Sequence, residues 1–375
     1  MFRYFLLVVS LTAFPAILLA QVASAPELNA KSYILADFDS GQVIVQKDPD
    51  KKIEPASITK MMSAYMIYEA LAEGAIAKTD LVTISEKAWK MGGSKMFIEV
   101  GKQISVDDLL KGMIIQSGND ATVALAEHVA GSEAYFVDLM NRKAAELGMN
   151  NSMFQNTTGW PAENHYMSTR DMFTLARAMI RDYPKEYELY KVKDFTFNNI
   201  PQSNRNKLLW RDETVDGIKT GHTEAAGYCL VASALRDDMR LISVVVGADS
   251  DKDRTAQTQS LLNYGYRFFE TRRLYAANES IGDLRVWKGV ADQVGVGLTR
   301  DLYLTFPRGQ YEQLTAAADQ PDSVVAPLSQ YQKIGRLSIR LQDRLLFEDD
   351  LYVLSTVERA GFFKRLSDSV KSVFD

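Results

Sequence analysis

The chain has 375 residues, 46% hydrophobic and 24% charged, enough for a large core and about two or three domains, which excludes a disordered tail or a coiled-coil rod. A formal net charge of -5 leaves no basic stripe for a polyphosphate backbone, so nucleic-acid binding is set aside. A single cysteine and three histidines exclude an intramolecular disulfide and argue against a histidine-rich metal site, and no cofactor is expected.

Taken in chain order, Arg3, the apolar run from Phe5 to Leu19 and the small residues Val22-Ala23-Ser24-Ala25 read as a cleavable export signal over residues 1–24. Tyr33 to Ala36, a turn at Asp39-Ser40-Gly41 and Val43 to Val45 predict a β-hairpin. A helix starting near Ser57 and running through Tyr68 is apolar on nearly every face, the pattern of a fully buried central helix. Helical periodicity then covers Val106–Ile115, Ala121–Val129 and Ala134–Leu147, the last closed by Gly148. Gly227–Ala234 and Leu241–Gly247 are β-rich runs separated by Arg236-Asp237-Asp238, and a helix is expected over Leu261–Phe269. Cys229, in an apolar run with no flanking base, reads as a buried structural residue.

Strands at both ends of a segment with helices between predict one α/β domain over residues 25–270. After a linker at 271–282, short alternating runs such as Leu302–Phe306 and Ile334–Leu341 predict a small all-β domain over 283–357. In the last segment, 358–375, Phe362, Phe363, Leu366, Val370, Val373 and Phe374 fall within an arc of about 120° on a helical wheel. Lys364, Arg365, Asp368 and Lys371 lie outside it. A terminal helix divided in this way suits a membrane interface, and its rival is a helix docked on its own domain.

Three short motifs carry chemistry. Ser57-Ile58-Thr59-Lys60 sets a lysine amine one helical turn from a serine hydroxyl. Burial and a neighbouring cation, for which Lys219 is the candidate, would lower the amine's pKa until Lys60 can take the Ser57 proton. Free N–H groups at the helix N-terminus would stabilise an oxyanion. Ser117-Gly118-Asn119 lies in a loop, where the Ser117 hydroxyl can relay a proton to a departing amine and Asn119 can hold a substrate amide or the Lys60 side chain, with Asp120 as a rival helix cap. Lys219-Thr220-Gly221 immediately precedes the strand region and offers donors for a carboxylate, a glycine for close backbone approach and, in His222, a second N–H for the oxyanion. Each motif alone is weak, but Ser57 begins the only S-x-x-K in the chain and the three stand in one order.

With their flanks Pro55–Met62, Gln116–Asp120, Asn204-Arg205-Asn206 and Asp216–Thr223, these motifs resemble the low-molecular-mass penicillin-binding proteins that are D-alanyl-D-alanine carboxypeptidases, over essentially the whole mature chain. The resemblance implies an α/β (α+β) domain of the penicilloyl-serine-transferase or β-lactamase-like kind, an antiparallel sheet with a helical cluster, followed by the small all-β domain. It implies acylation of Ser57 by peptidoglycan stem pentapeptides with release of the terminal D-alanine, hydrolysis of the acyl-enzyme by water, and covalent capture of β-lactams. Only through the resemblance does Arg205 gain a role, beside Lys219 and Thr220 on the substrate carboxylate. The same likeness implies a peripheral protein on the periplasmic face of the inner membrane, held by the C-terminal helix. Some relatives carry a histidine where this chain has Thr158, so a deacylation role for that histidine does not transfer.

Three rivals share parts of this pattern. A β-lactamase would need a deacylating base, and Glu146-Leu147-Gly148-Met149-Asn150 loosely resembles an E-x-x-L-N loop but reads as a helix end capped by Gly148. An endopeptidase could use the same site, although such relatives lack the β domain and tail. Against a non-enzymatic wall-binding protein stand the intact motifs.

Overall fold

The structure, a computed structural model, describes residues 23–371. The segment read as an export signal, but for its last residues, and the tail residues Val373 and Phe374 lie outside them.

The predicted hairpin forms as β1 (Ser32–Asp37) and β2 (Val43–Lys47). A 3-10 turn, Ala56–Thr59, leads into α1 (Lys60–Ala72), in which every residue from Lys60 to Tyr68 is buried. There follow β3 (Leu81–Thr83), α2 (Glu86–Lys90), β4 (Gln103–Ser105), α3 (Val106–Ile114), α4 (Asn119–Ala130) and α5 (Glu133–Glu146). Next come α6 (Thr169–Asp182), α7 (Pro184–Tyr187), β5 (Asp194–Phe197) and β6 (Ile200–Ser203). The domain closes with β7 (Val215–Thr223), β8 (Gly227–Arg236), β9 (Met239–Ala248) and α8 (Asp251–Phe268).

Five of these strands make one antiparallel sheet in the order β2-β1-β9-β8-β7, which leaves β7 at an edge. Period-two alternation divides the sheet's side chains between two cores. Ile34, Ala36, Val231, Ile242 and Val244 pack into the helical cluster around α1, whereas Leu35, Leu230, Leu241 and Val245 pack against Leu261, Leu262 and Tyr266 of α8. Central strands covered on both faces are apolar along their length, which is why β9 is buried from Leu241 to Ala248.

Four expectations need correction. Ser57 sits in the 3-10 turn rather than at an α-helical N-terminus, and Ala56 before it adopts φ +48, a left-handed conformation that an α-helical first turn does not admit. α8 begins ten residues before Leu261, at Asp251, capped by the Ser250 hydroxyl; its first half is too polar to show an apolar period. Lys219 and Thr220 lie inside β7 rather than ahead of the strands, since two glycines and a lysine disguise that strand. The stretch read as a linker, 271–282, begins as regular structure: β10 (Phe269–Tyr275) runs on directly from α8.

The second domain is β-rich, with β10, β11 (Gly282–Trp287), β12 (Gln293–Gly297), β13 (Leu302–Pro307), β14 (Leu314–Asp319), β15 (Ser323–Val325), β16 (Lys333–Leu341) and β17 (Arg344–Val353). β10 pairs with β13, and the rest form a sheet in the order β14-β16-β17-β12-β11-β15. Hydroxyls and one carboxylate join it to the first domain. Asp37, fully buried, accepts from the Ser40 N–H and hydroxyl and from Thr271 Oγ1. Thr305 Oγ1 lies 2.6 Å from Ser40 Oγ and 2.8 Å from Thr271 Oγ1.

The last element, α9 (Phe362–Lys371), docks on its own domain by its polar side. Asp368, 4% exposed, accepts from the Lys288 N–H at 2.7 Å, and Lys364 pairs with Asp292. Phe362, Phe363, Leu366 and Val370 face outward, Phe363 at 86% exposure.

Candidate active site

Three backbone features converge on one cleft. The turn bearing Ser57 is pressed against β7: a Cβ built on Gly221 would stand 3.1 Å from both Ala56 Cβ and Pro55 O, so any larger residue would push the turn and the strand apart by a few tenths of an ångström. Between α3 and α4 the chain reverses through Ser117, whose φ of +66 is the left-handed region. That reversal is tied down by Gly118 N–H on Gly112 O and by Asn119 N–H on Ser94 O. Asp120 does not cap α4; its carboxylate accepts the N–H groups of Met96, Phe97, Ile98 and Ala121, fixing the neighbouring loop.

Lys60 Nζ lies 3.0 Å from Ser57 Oγ and donates to the Thr158 carbonyl at 2.7 Å. Lys219 Nζ donates to Ser117 Oγ at 2.9 Å and to Thr220 O at 3.2 Å. Burial lowers the Lys60 pKa to about 7, helped by the Arg205 guanidinium and opposed by Asp120. Arg205 thus joins Lys219, the cation the sequence pointed to, in acting on Lys60. Lys219 is itself pushed well below the ordinary lysine range, by burial first and then by Lys60, Arg205 and Arg254. Two guanidiniums, of Arg205 and Arg254, line the cleft, which favours an anionic ligand.

The cleft encloses about 570 Å³. Ser57, Ser117, Thr220, Gly221, His222 and Arg205 line it, while Lys60, Lys219 and Asn119 stand behind this wall, each less than a tenth exposed. Asn119 donates to the Gly92 carbonyl at 2.7 Å rather than to Lys60. His222 packs against Tyr228 with ring centroids 4.1 Å apart and the planes tilted by 37°. Arg205 donates from Nε to the Gln116 carbonyl.

Two contributors escaped the sequence. Arg254 lines the cleft and donates to the carbonyls of Gly221 and Cys229, pinning the edge strand. Ser250 followed three residues on by Asp253 is a helix-start signal that would have put Arg254 in the first turn of α8. The Thr158 carbonyl, the second partner of Lys60, has no side-chain signature at all. Glu146 pairs with Lys143 at the end of α5, before Gly148 at φ +74, and is no part of the cleft. Cys229 is fully buried and its thiol is pushed up to about 11, as fits a structural residue.

Comparison with known proteins gives two family matches: residues 19–250 match D-alanyl-D-alanine carboxypeptidase, and residues 269–359 match the C-terminal domain of penicillin-binding protein 5. The chain is 43% identical to the D-alanyl-D-alanine carboxypeptidase DacA of Escherichia coli over 361 residues, 94% of this chain and 90% of the relative. It is also 43% identical to DacC of Escherichia coli over 378 residues, 99% and 94% of the two chains. Among solved structures, penicillin binding protein 5 from Haemophilus influenzae superposes with a TM-score of 0.87 at 41% identity, covering 90% of this chain and all of that one.

Proposed function

This chain belongs to the D-alanyl-D-alanine carboxypeptidase family and is a serine-type enzyme of the penicillin-binding protein 5 kind; from that premise we propose how its residues divide the work. Ser57 is the nucleophile and Lys60 its base. The Thr158 carbonyl holds one amine hydrogen, which leaves the lone pair of neutral Lys60 directed at the Ser57 hydroxyl 3.0 Å away. As Ser57 Oγ attacks the carbonyl between the two D-alanines, its proton passes to Lys60 and the N–H groups of Ser57 and His222 receive the oxyanion.

Collapse of the tetrahedral intermediate breaks the peptide bond, and Ser117, held by Lys219, relays a proton to the departing D-alanine nitrogen. Lys219, Thr220 and Arg205 bind the substrate's terminal carboxylate, and Asn119 braces the loop bearing Ser117. Water then hydrolyses the ester. β-Lactams acylate Ser57 by the same attack, opening the ring in place of expelling an amine.

The observation that carries this reading is the pairing of two buried lysines, each within 3.0 Å of a serine hydroxyl, with both serines lining one cleft. We assign the export signal to residues 1–24, the catalytic domain to 25–270 and the following β domain to the segment ending at 357. With its apolar side outward, α9 fits a helix lying in the membrane interface, which would hold the enzyme at the periplasmic face of the inner membrane.

Incubation with a fluorescent penicillin tests the chemistry: the wild type is labelled covalently and Ser57→Ala is not. A label that persists in Ser57→Ala refutes the nucleophile. Mass analysis of a diacetyl-Lys-D-Ala-D-Ala digest is expected to find free D-alanine and the shortened peptide.

A further inference from the structure

We infer that His165 is a positioning residue for acylation, clamping the turn that bears Ser57 and Lys60 to the segment that anchors Lys60. His165 is 3% exposed and does not reach the cleft. Its Nδ1 accepts the Gln155 N–H at 3.1 Å, so in the neutral ring the proton sits on Nε2. Nε2 therefore donates to Thr59 Oγ1, 2.9 Å away and inside the S-x-x-K turn. Burial keeps the ring in this neutral form, with a pKa lowered to about 4.

The segment from Gln155 to His165 starts and ends at this imidazole, and just outside it Met153 and Tyr166 exchange backbone hydrogen bonds. Within it, Asn156 Oδ1 gathers the N–H groups of Thr158, Gly159 and Trp160. Thr158 O then accepts from Lys60 Nζ, and Thr157 O accepts from the Ser63 hydroxyl. Gly159 approaches so closely that a Cβ there would fall 1.7 Å from Ala56 O and 2.9 Å from Thr59 Oγ1. The base is thus set by a backbone carbonyl, and the register of that carbonyl against the turn is set by the His165 to Thr59 hydrogen bond. The group acts through Lys60 and touches no reacting atom.

The inference rests on Ser57 and Lys60 being the reacting pair, and the test separates the two. Acylation by a fluorescent penicillin is followed in Thr59→Val, which removes the acceptor, in His165→Asn, which keeps an acceptor for Gln155 but loses the donor to Thr59, and in the double variant. Each single change is expected to slow acylation roughly tenfold to a hundredfold, the scale of a small misplacement of a reacting group, with the non-covalent Kd unchanged. The double variant is expected to be no slower than the slower single one, because one hydrogen bond is lost in all three. His165→Gln, whose amide can still donate to Thr59, is expected to regain most of the rate. Wild-type rates in Thr59→Val, losses that multiply in the double variant, a deficit carried by Kd, or no rescue by glutamine would each overturn the inference. Thr59→Val decides alone should His165→Asn not fold. A wild type that takes no label at Ser57 would instead sink the assignment of the nucleophile.

Discussion

Lys60 has to be buried enough to lose its proton and close enough to Ser57 to use the lone pair, and the two demands are met by one amine with two partners. Because the charged form is the one disfavoured by burial, the working form is populated above about pH 7 and titrates away below it. The acylation rate is therefore expected to rise about tenfold per pH unit up to that point and to level off above it, checked by penicillin labelling across pH. Lys60→Arg, which stays charged, should be inert throughout. Gly159→Ala faces a backbone collision at a φ of +84 and is expected to cost about 2–3 kcal/mol or more in thermal unfolding, with acylation lost alongside. At this scale the sequence was most legible: the spacing of Ser57 and Lys60 makes their contact a matter of helical geometry. What it hid were groups without a letter of their own, such as the Thr158 carbonyl, and Arg254, whose place depends on where α8 begins.

Elements were readable where they showed one sustained pattern of burial or a clear terminal residue. α1 announced itself by being apolar all round, and α5 by its closing glycine. β3, β4, β5 and β6, at three or four residues each, are too short to display a period of two, and α6 went unread although Ser168 caps it and its buried positions recur at helical spacing. α9 is the reverse case, with its faces legible but not their orientation, which is decided by the Lys288 N–H that Asp368 accepts. Replacing Phe363 or Leu366 by Asp leaves those polar contacts alone. Both changes are expected to abolish co-sedimentation with anionic vesicles while leaving turnover of a small soluble peptide unchanged; undiminished sedimentation would dismiss the interface role.

On the scale of the whole molecule, the two domains share a buried hydrogen-bond cluster and an unbroken passage from α8 into β10. Asp37→Ala strips three hydrogen bonds from the half-buried Ser40 and Thr271 at that junction, at roughly 0.5–1.5 kcal/mol for each. Calorimetry is expected to resolve two separated transitions in place of one, and small-angle scattering a larger radius of gyration. A single transition at the wild-type temperature would count against the junction. The sequence read a change from mixed to β structure near residue 270 and inserted a linker there, since a strand that leaves a helix without a turn carries no Gly or Pro to mark it. The shared hydrogen bonds and the direct passage from α8 into β10 couple the movement of the two domains. Were α9 to lie in a lipid surface, as proposed, the cleft would stand at one fixed altitude, and the stem peptides within its reach would be set by their depth in the wall as well as by their chemical ends.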